Sequence, residues 1–344
     1  MTSETQDEME QARDILVIGG TRYFGRSIVE ELIAAGHRVT IFTRGNRRPE
    51  FLDHVTYVVG NRRYFSSFRA SFRGKAFDAV IDNIGYLPDE VEETLDVFRG
   101  NVGVYIFTSS ISAYQDQYIG RDMLCESNYQ PSLGSISSIH NVEDYEIGKN
   151  QCELRVMQNK DLPYIILRPP LVIGPDDHAL NLHFFLQRIL DGGPILLPKL
   201  SKHHLRHIYE KDLARAYPKL LDRTSCYNKA FNIAGKEVLT VEEYLGFIAI
   251  MVGRKLHITY VPQASLDSSG YVQPFQFNRI SDISRIQEEV GVDLTTFGTW
   301  MGTTVNWYLN DYSGPDSKGY DKRQQEIDFA MHHKEIDTVK RLEP

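Results

Sequence analysis

Cysteine is scarce in this 344-residue chain: Cys125, Cys152 and Cys226 stand far apart, with no Cys-x-x-Cys and no Cys/His spacing. That excludes a disulfide framework and a zinc site, and makes a reducing compartment the expectation. Long apolar runs are missing as well. No stretch approaches the roughly 20 apolar residues that cross a bilayer, so no membrane partner is expected. The first thirteen residues are polar and acid-rich and hold no secretory apolar core; a cytoplasmic location follows. Excess positive charge is a third absence. The formal net charge of −8 leaves no concentrated basic surface overall, so no nucleic acid is expected as a partner.

What is present is a core. Hydrophobic residues make up 42% of the chain, enough at this length for one large domain or a main domain with a smaller cap. Asp14-Ile15-Leu16-Val17-Ile18 is a short apolar run that ends in Gly19-Gly20 and is followed by an amphipathic stretch over residues 26–36. Runs at 39–43, 55–59, 79–82, 104–108 and 164–167 repeat the pattern with helical segments between them. Strands alternating with helices predict an α/β fold, a doubly wound parallel sheet whose ligand crevice lies at the carboxyl ends of the strands. This dinucleotide-binding domain is expected over 13–175, with returns near 208–235. A smaller, discontinuous substrate lobe is expected over 176–207 and 236–309, with helices at 180–190 and 240–252 and another helix at 208–221. From 310 to 344 the chain reads as a polar tail with one helix candidate at 323–333.

The turn Gly19-Gly20-Thr21-Arg22-Tyr23-Phe24-Gly25 joins a strand to a helix, where backbone can approach a pyrophosphate at the helix N-terminus. At the end of the second strand an acid would take a ribose 2′-hydroxyl; here Thr43-Arg44-Gly45-Asn46-Arg47-Arg48 offers arginines, which suit a 2′-phosphate. NADP is the expected cofactor, with NAD as the alternative. A solvated basic loop is the competing explanation of Arg44, Arg47 and Arg48.

Tyr145 and Lys149 lie four residues apart, on one helix face, where a cation favours the phenolate. The segment Thr108-Ser109-Ser110-Ile111-Ser112-Ala113-Tyr114 sets hydroxyls at the mouth of the crevice, able to donate to a substrate oxygen. Strand-end backbone capping is their other use. His204 and His207, with His203, fall in a basic segment over 199–211 and read as surface residues; His332 and His333 lack a partner at metal spacing, so no metal is expected. Phe184, Phe185 and Trp300 read as lobe core.

Together the glycine turn, the Ser-Ser-Ile-Ser-Ala-Tyr segment, Tyr-x-x-x-Lys, Ile166-Leu167-Arg168-Pro169-Pro170, Asp212-Leu213-Ala214 and Ala230-Phe231-Asn232-Ile233 resemble the extended short-chain dehydrogenases/reductases, the NAD-dependent epimerase/dehydratase family. The resemblance runs from about residue 15 to residue 307. It implies hydride transfer at a secondary alcohol or ketone carbon of a polar, sugar-like small molecule. An epimerase without net redox change and a non-catalytic binding protein are the alternatives. It further implies Tyr145 as proton relay, Lys149 on the nicotinamide ribose and Ser110 beside the substrate, with Ser112 and Arg206 as further substrate contacts. Asn61, Asn83, Thr108, Arg168 and Pro169 join the turn and the arginines around the cofactor, and a homodimer is implied. Two departures stand out: Arg22 replaces the middle glycine, and Asn61 replaces an adenine-contacting Asp.

Overall fold

The computed structural model describes residues 12–132, 134, 136–199, 204–269, 271, 273–275 and 277–342, with side chains to residue 333. The N-terminal polar segment up to residue 11 and His203 lie outside the described residues.

The apolar runs become strands of one sheet: β1 (Asp14–Ile18), β2 (Arg38–Thr43), β3 (Thr56–Val59), β4 (Phe77–Asp82), β5 (Val102–Thr108), β6 (Tyr164–Arg168) and a last strand, Lys229–Asn232. All pair in parallel, in the order β3-β2-β1-β4-β5-β6 with Lys229–Asn232 beside β6. The order reverses between β1 and β4, so the chain leaves these two strands toward opposite faces and opens a crevice at their carboxyl ends.

The helices are α1 (Tyr23–Ala34), α2 (Phe65–Phe72), α3 (Pro88–Phe98), α4 (Val142–Gln158), α5 (Asn181–Leu190), α6 (Glu210–Leu221), α7 (Val241–Met251), α8 (Gln263–Ser269), α9 (Ser284–Glu289), α10 (Phe297–Asn310) and α11 (Arg323–Leu342). On one sheet face, α1 and α6 bury Ile28, Leu32, Leu213 and Tyr217 against Val17 and Ile106. On the other, α2, α3 and α4 bury Phe68, Phe98 and Val156 against Leu16 and Tyr105. A second core gathers Phe184, Phe185, Tyr244, Trp300 and Val305 from α5, α7 and α10. The Thr240/Glu243 capping box that signals α7 in the sequence is formed.

Three expectations are corrected. Ile208–Tyr209 pairs with Val172–Ile173 as a short strand, and the helix begins only at Glu210. Residues 283–294, assigned to the substrate lobe, join the main core instead: Ile283, Ile286 and Val290 recur at helical spacing and pack with Phe231 and Cys226, so the sheet gains a cover the interrupted pattern concealed. The polar tail folds back as α11. Its anchors are polar: Arg188 donates to Glu326 through both Nε (3.0 Å) and Nη2 (2.6 Å), and Arg323 donates to Asp191 at 2.8 Å, so composition alone hid the packing.

Candidate active site

The glycine turn is shaped by close approach. Gly19 sits at φ +91°, and a Cβ at Gly25 would collide with the Gly19 carbonyl oxygen, so α1 can begin tight against β1 only with glycine there. Arg22 adopts extended φ −141°, ψ 146°, which admits any side chain; the left-handed residue is Tyr23, at φ +50°. Losing the middle glycine therefore costs no strain at Arg22 and adds a guanidinium to the loop.

Above the turn lies a cavity of about 370 Å³. Its walls include Gly19, Thr21, Arg22, Tyr23, Phe24 and Gly25, then Arg44 and Arg47, and at the far end Asn61, Arg62, Arg63 and Glu90. Asn83 closes the floor with its Nδ2 buried and unpartnered, while its Oδ1 accepts from the Thr108 hydroxyl at 2.6 Å. Tyr217 shares a 2.5 Å hydrogen bond with the same hydroxyl, so Thr108 positions Asn83 from behind. Among the described residues no carboxylate pairs with Arg22 or Arg44; Arg47 lies 3.4 Å from Asp176 and Arg63 3.0 Å from Glu90. Backbone cradle, orphaned amide and unpaired guanidiniums together fit a dinucleotide with anionic groups.

Ser110, Tyr145 and Lys149 stand past the near wall, which is Tyr86. Its ring centroid is 6.2 Å from that of Tyr145, and Lys149 Nζ lies 4.9 Å from it. The Ser110 hydroxyl accepts from the Ser112 N–H at 3.1 Å and is within hydrogen-bonding reach of the Tyr145 phenol. Lys149 is buried and donates to the carbonyl oxygens of Gly85 (2.9 Å) and Thr108 (2.8 Å). Burial lowers its pKa to about 8. The phenol of Tyr145 is pushed up, first by burial and then by Tyr86, against the downward shift expected from a neighbouring cation. The reason is desolvation: the penalty for a buried phenolate outweighs the hydrogen bond from Ser110 that favours it.

Other sequence-derived positions are reassigned. Arg168 is fully buried in an ion pair with Glu153 (2.6 Å) and donates to the Tyr114 hydroxyl at 2.8 Å, so it cannot reach a cofactor. Pro169 lies in the buried wall behind Ser110, its carbonyl accepting from the Ile111 N–H at 2.9 Å. Arg206 directs three of its five donors at the carbonyls of Gly235 (2.8 Å), Ser281 (2.6 Å) and Lys236 (3.3 Å), which fixes a turn. His207 is no surface residue: it packs between Tyr244 and Phe275, and burial drives its pKa to about 3.

Sequence reasoning missed Tyr86, Arg62 and Glu90. Arg62 Nη1 and Nη2 donate to Asp82 at 2.7 and 2.8 Å, and Asp82 also accepts from Tyr105. An acid ending the apolar run of β4 was the available signal, since a buried charge demands a partner. Among the described residues no group of three His, Cys, Asp or Glu side chains could hold a metal, and no helix is long and apolar enough to cross a membrane.

Comparison with known proteins agrees with this geometry. The chain is 28% identical over 247 residues to an Arabidopsis thaliana protein named chloroplast stem-loop binding protein of 41 kDa b, covering 67% of this chain and 61% of that one; it thus spans under two thirds of the relative's length. Its fold is shared with a Thermotoga maritima UDP-glucose 4-epimerase solved with UDP-glucose (TM-score 0.68, 18% identity, 86% of this chain and 98% of that one). A Bacillus anthracis dTDP-glucose 4,6-dehydratase in complex with NAD is alike to a similar degree (TM-score 0.69, 16% identity, 87% and 97%). Residues 15–234 match the sequence profile of the NAD dependent epimerase/dehydratase family, and with this sheet order, glycine turn and Ser/Tyr/Lys set the chain belongs to that family.

Proposed function

We propose that this protein is an oxidoreductase that transfers hydride at a secondary alcohol or ketone carbon of a polar, sugar-like small molecule, using NADP in preference to NAD. The observation that carries the reading is the placement of Tyr145 within reach of Ser110 and one helical turn before Lys149, next to a cavity lined by Arg22 and Arg44. The dinucleotide, when bound, supplies the hydride acceptor or donor. Gly19, Gly25 and Thr21 hold its pyrophosphate, Arg22, Arg44 and Arg47 a 2′-phosphate, and Lys149 a ribose hydroxyl. Tyr145 moves the proton at the substrate oxygen while Ser110 donates to that oxygen as charge develops. The test is turnover of candidate sugars and ketones by purified protein, followed by the absorbance of the reduced nicotinamide. Product formed with no net absorbance change assigns the epimerase reaction instead.

Arg206 bears on the substrate. With three of its five donors engaged by backbone carbonyls, it has little left to grip a nucleotide diphosphate, which supports a reductase of a free polar substrate over a nucleotide-sugar epimerase. A homodimer and a cytoplasmic location complete the proposal, checked by light scattering and by cell fractionation. A non-catalytic reading follows from the name of the Arabidopsis relative and from one feature here, a rim of Arg44, Arg47, Arg48 and Arg63 with Tyr64 69% exposed beside it. Salt-sensitive binding of an RNA hairpin by a protein inert toward every dinucleotide supports that reading and rejects the first.

A further inference from the structure

One side chain separates the cavity from the chemical residues. Tyr86 lines the cavity, whereas Ser110, Tyr145 and Lys149 do not. Hydride transfer needs its two carbons held within about 3–3.5 Å, so the nicotinamide end of a dinucleotide has to pass the place that Tyr86 now holds to meet a substrate at Tyr145. The Tyr86 ring centroid is 4.9 Å from Lys149 Nζ and 6.2 Å from the Tyr145 ring. An ammonium carries three hydrogens. Two are donated to the Gly85 and Thr108 carbonyl oxygens; the third has no oxygen acceptor among the described residues and is left the rings of Tyr86 and Phe107, each 4.9 Å from Nζ.

The two rings differ in what they can do. Phe107 is fully buried in the core under the sheet face and stays where it is. Tyr86 is 39% exposed, and its hydroxyl has no hydrogen-bond partner among the described residues, so the cation–π contact with Lys149 and packing on Tyr145 hold the ring in place. Its main chain is pinned: the Gly85 carbonyl accepts from Lys149, and the Tyr86 carbonyl lies so close to Gly148 that a Cβ there would stand 2.6 Å away. We propose that Tyr86 is a gate, whose ring closes the passage from the dinucleotide cavity to Tyr145 and opens it by a turn of the side chain alone, away from Lys149. The same turn frees the third ammonium hydrogen for a ribose hydroxyl. The assignment rests on the cavity being a dinucleotide site, as argued above, and adds that the free protein is closed, so that apparent affinity is lowered by the fraction of molecules whose gate is shut.

The experiment is calorimetric titration of the full chain with NADP, with NAD and with adenosine 2′,5′-bisphosphate, which lacks the nicotinamide half and has no need to pass Tyr86. Tyr86→Ala, which removes the gate, is expected to tighten the dinucleotides about tenfold and to leave the bisphosphate within about twofold of the parent. Tyr86→Trp, a larger ring and a better partner for a cation, is expected to weaken the dinucleotides about threefold, again sparing the bisphosphate. Circular dichroism checks that both variants fold, and the two act in opposite directions, so either one tests the gate. Dinucleotides bound no more tightly by Tyr86→Ala, or more tightly by Tyr86→Trp, or a shift shared by the bisphosphate, overturn the gate and leave the oxidoreductase reading intact. Binding of none of the three ligands by the parent or by Tyr86→Ala overturns both.

Discussion

The Lys149 ammonium donates to the Gly85 carbonyl oxygen at 2.9 Å, and this contact depends on the residue before Lys149 being glycine. A Cβ at Gly148 would stand 2.6 Å from the Tyr86 carbonyl oxygen, so any side chain there pushes the 85–86 segment off α4. The lysine is thereby fixed at the end of β5 and desolvated at once.

Desolvation has a pH signature. A lysine with a folded-state pKa near 8 loses its proton well before an unfolded one does, near 10.5. Between those values the unfolded chain binds more protons, so this group's contribution makes stability rise with pH; below pH 8 the charged form is held buried at constant cost. If catalysis uses the ammonium, kcat falls as pH rises through about 8. A kcat profile flat from pH 7 to about 10 would remove Lys149 from the mechanism. Lys149→Met is expected to lower kcat by about 10²-fold or more and to abolish that limb.

Tyr145→Phe removes the proton and leaves the ring against Tyr86. Turnover is expected to fall by about 10²–10⁴-fold while dinucleotide affinity, read by fluorescence quenching, stays within about twofold. Undiminished turnover excludes the proton-relay role. Because burial raises the phenol's pKa in the free protein, Tyr145 carries its proton at neutral pH and is in the form that a general acid needs.

Arg44→Asp tests the cofactor. Replacing an unpaired cation at the end of β2 by an acid is expected to weaken NADPH by about tenfold or more and to leave NADH near its parental affinity. Asp176→Asn is the converse experiment: Asp176 now partners Arg47 at 3.4 Å, and neutralising it frees that guanidinium for a phosphate, tightening NADPH about two- to fivefold at low salt. Equal NADPH and NADH affinities in the parent protein would reject the arginine argument.

The strands, the glycine turn and the Tyr-x-x-x-Lys pair were legible because each is a local pattern: an apolar run, a turn residue, a helical spacing. What the sequence concealed is pairing across distance. Arg168 ends an apolar strand, and only the fold reveals that Glu153, on α4, meets it behind the site. Arg206 reads as a substrate cation until the carbonyls of Gly235 and Ser281, 29 and 75 residues away, take its hydrogens. Burial of His207 depends on Phe275 and Tyr244, from two later segments, so a basic-looking stretch gave the wrong exposure.

Arg168 therefore separates a structural from a functional arginine. Arg168→Met leaves Glu153 charged, fully buried and unpaired, and is expected to cost about 3–5 kcal/mol of stability. Arg168→Met combined with Glu153→Leu removes both charges and should recover most of that loss, since two apolar groups need no partners. Chemical denaturation measures both. If the single variant stays as stable as the parent but loses dinucleotide affinity, Arg168 reaches the cofactor after all.

The same logic applies to α11. Arg188, fully buried, directs Nε and Nη2 at Glu326, whose carboxylate also accepts from Arg323 at 3.0 Å; the helix is thus held to α5 by a shared acid. Glu326→Ala leaves two guanidiniums facing each other in a dry site and is expected to destabilise the substrate lobe by about 3–5 kcal/mol. Because no described residue of α11 lines the cavity, dinucleotide affinity at low temperature should be unchanged in that variant. A drop in affinity equal to the loss of stability would instead mean that lobe and cavity unfold as one unit, and hydrogen exchange at α5 and α1 would then rise together rather than at α5 alone.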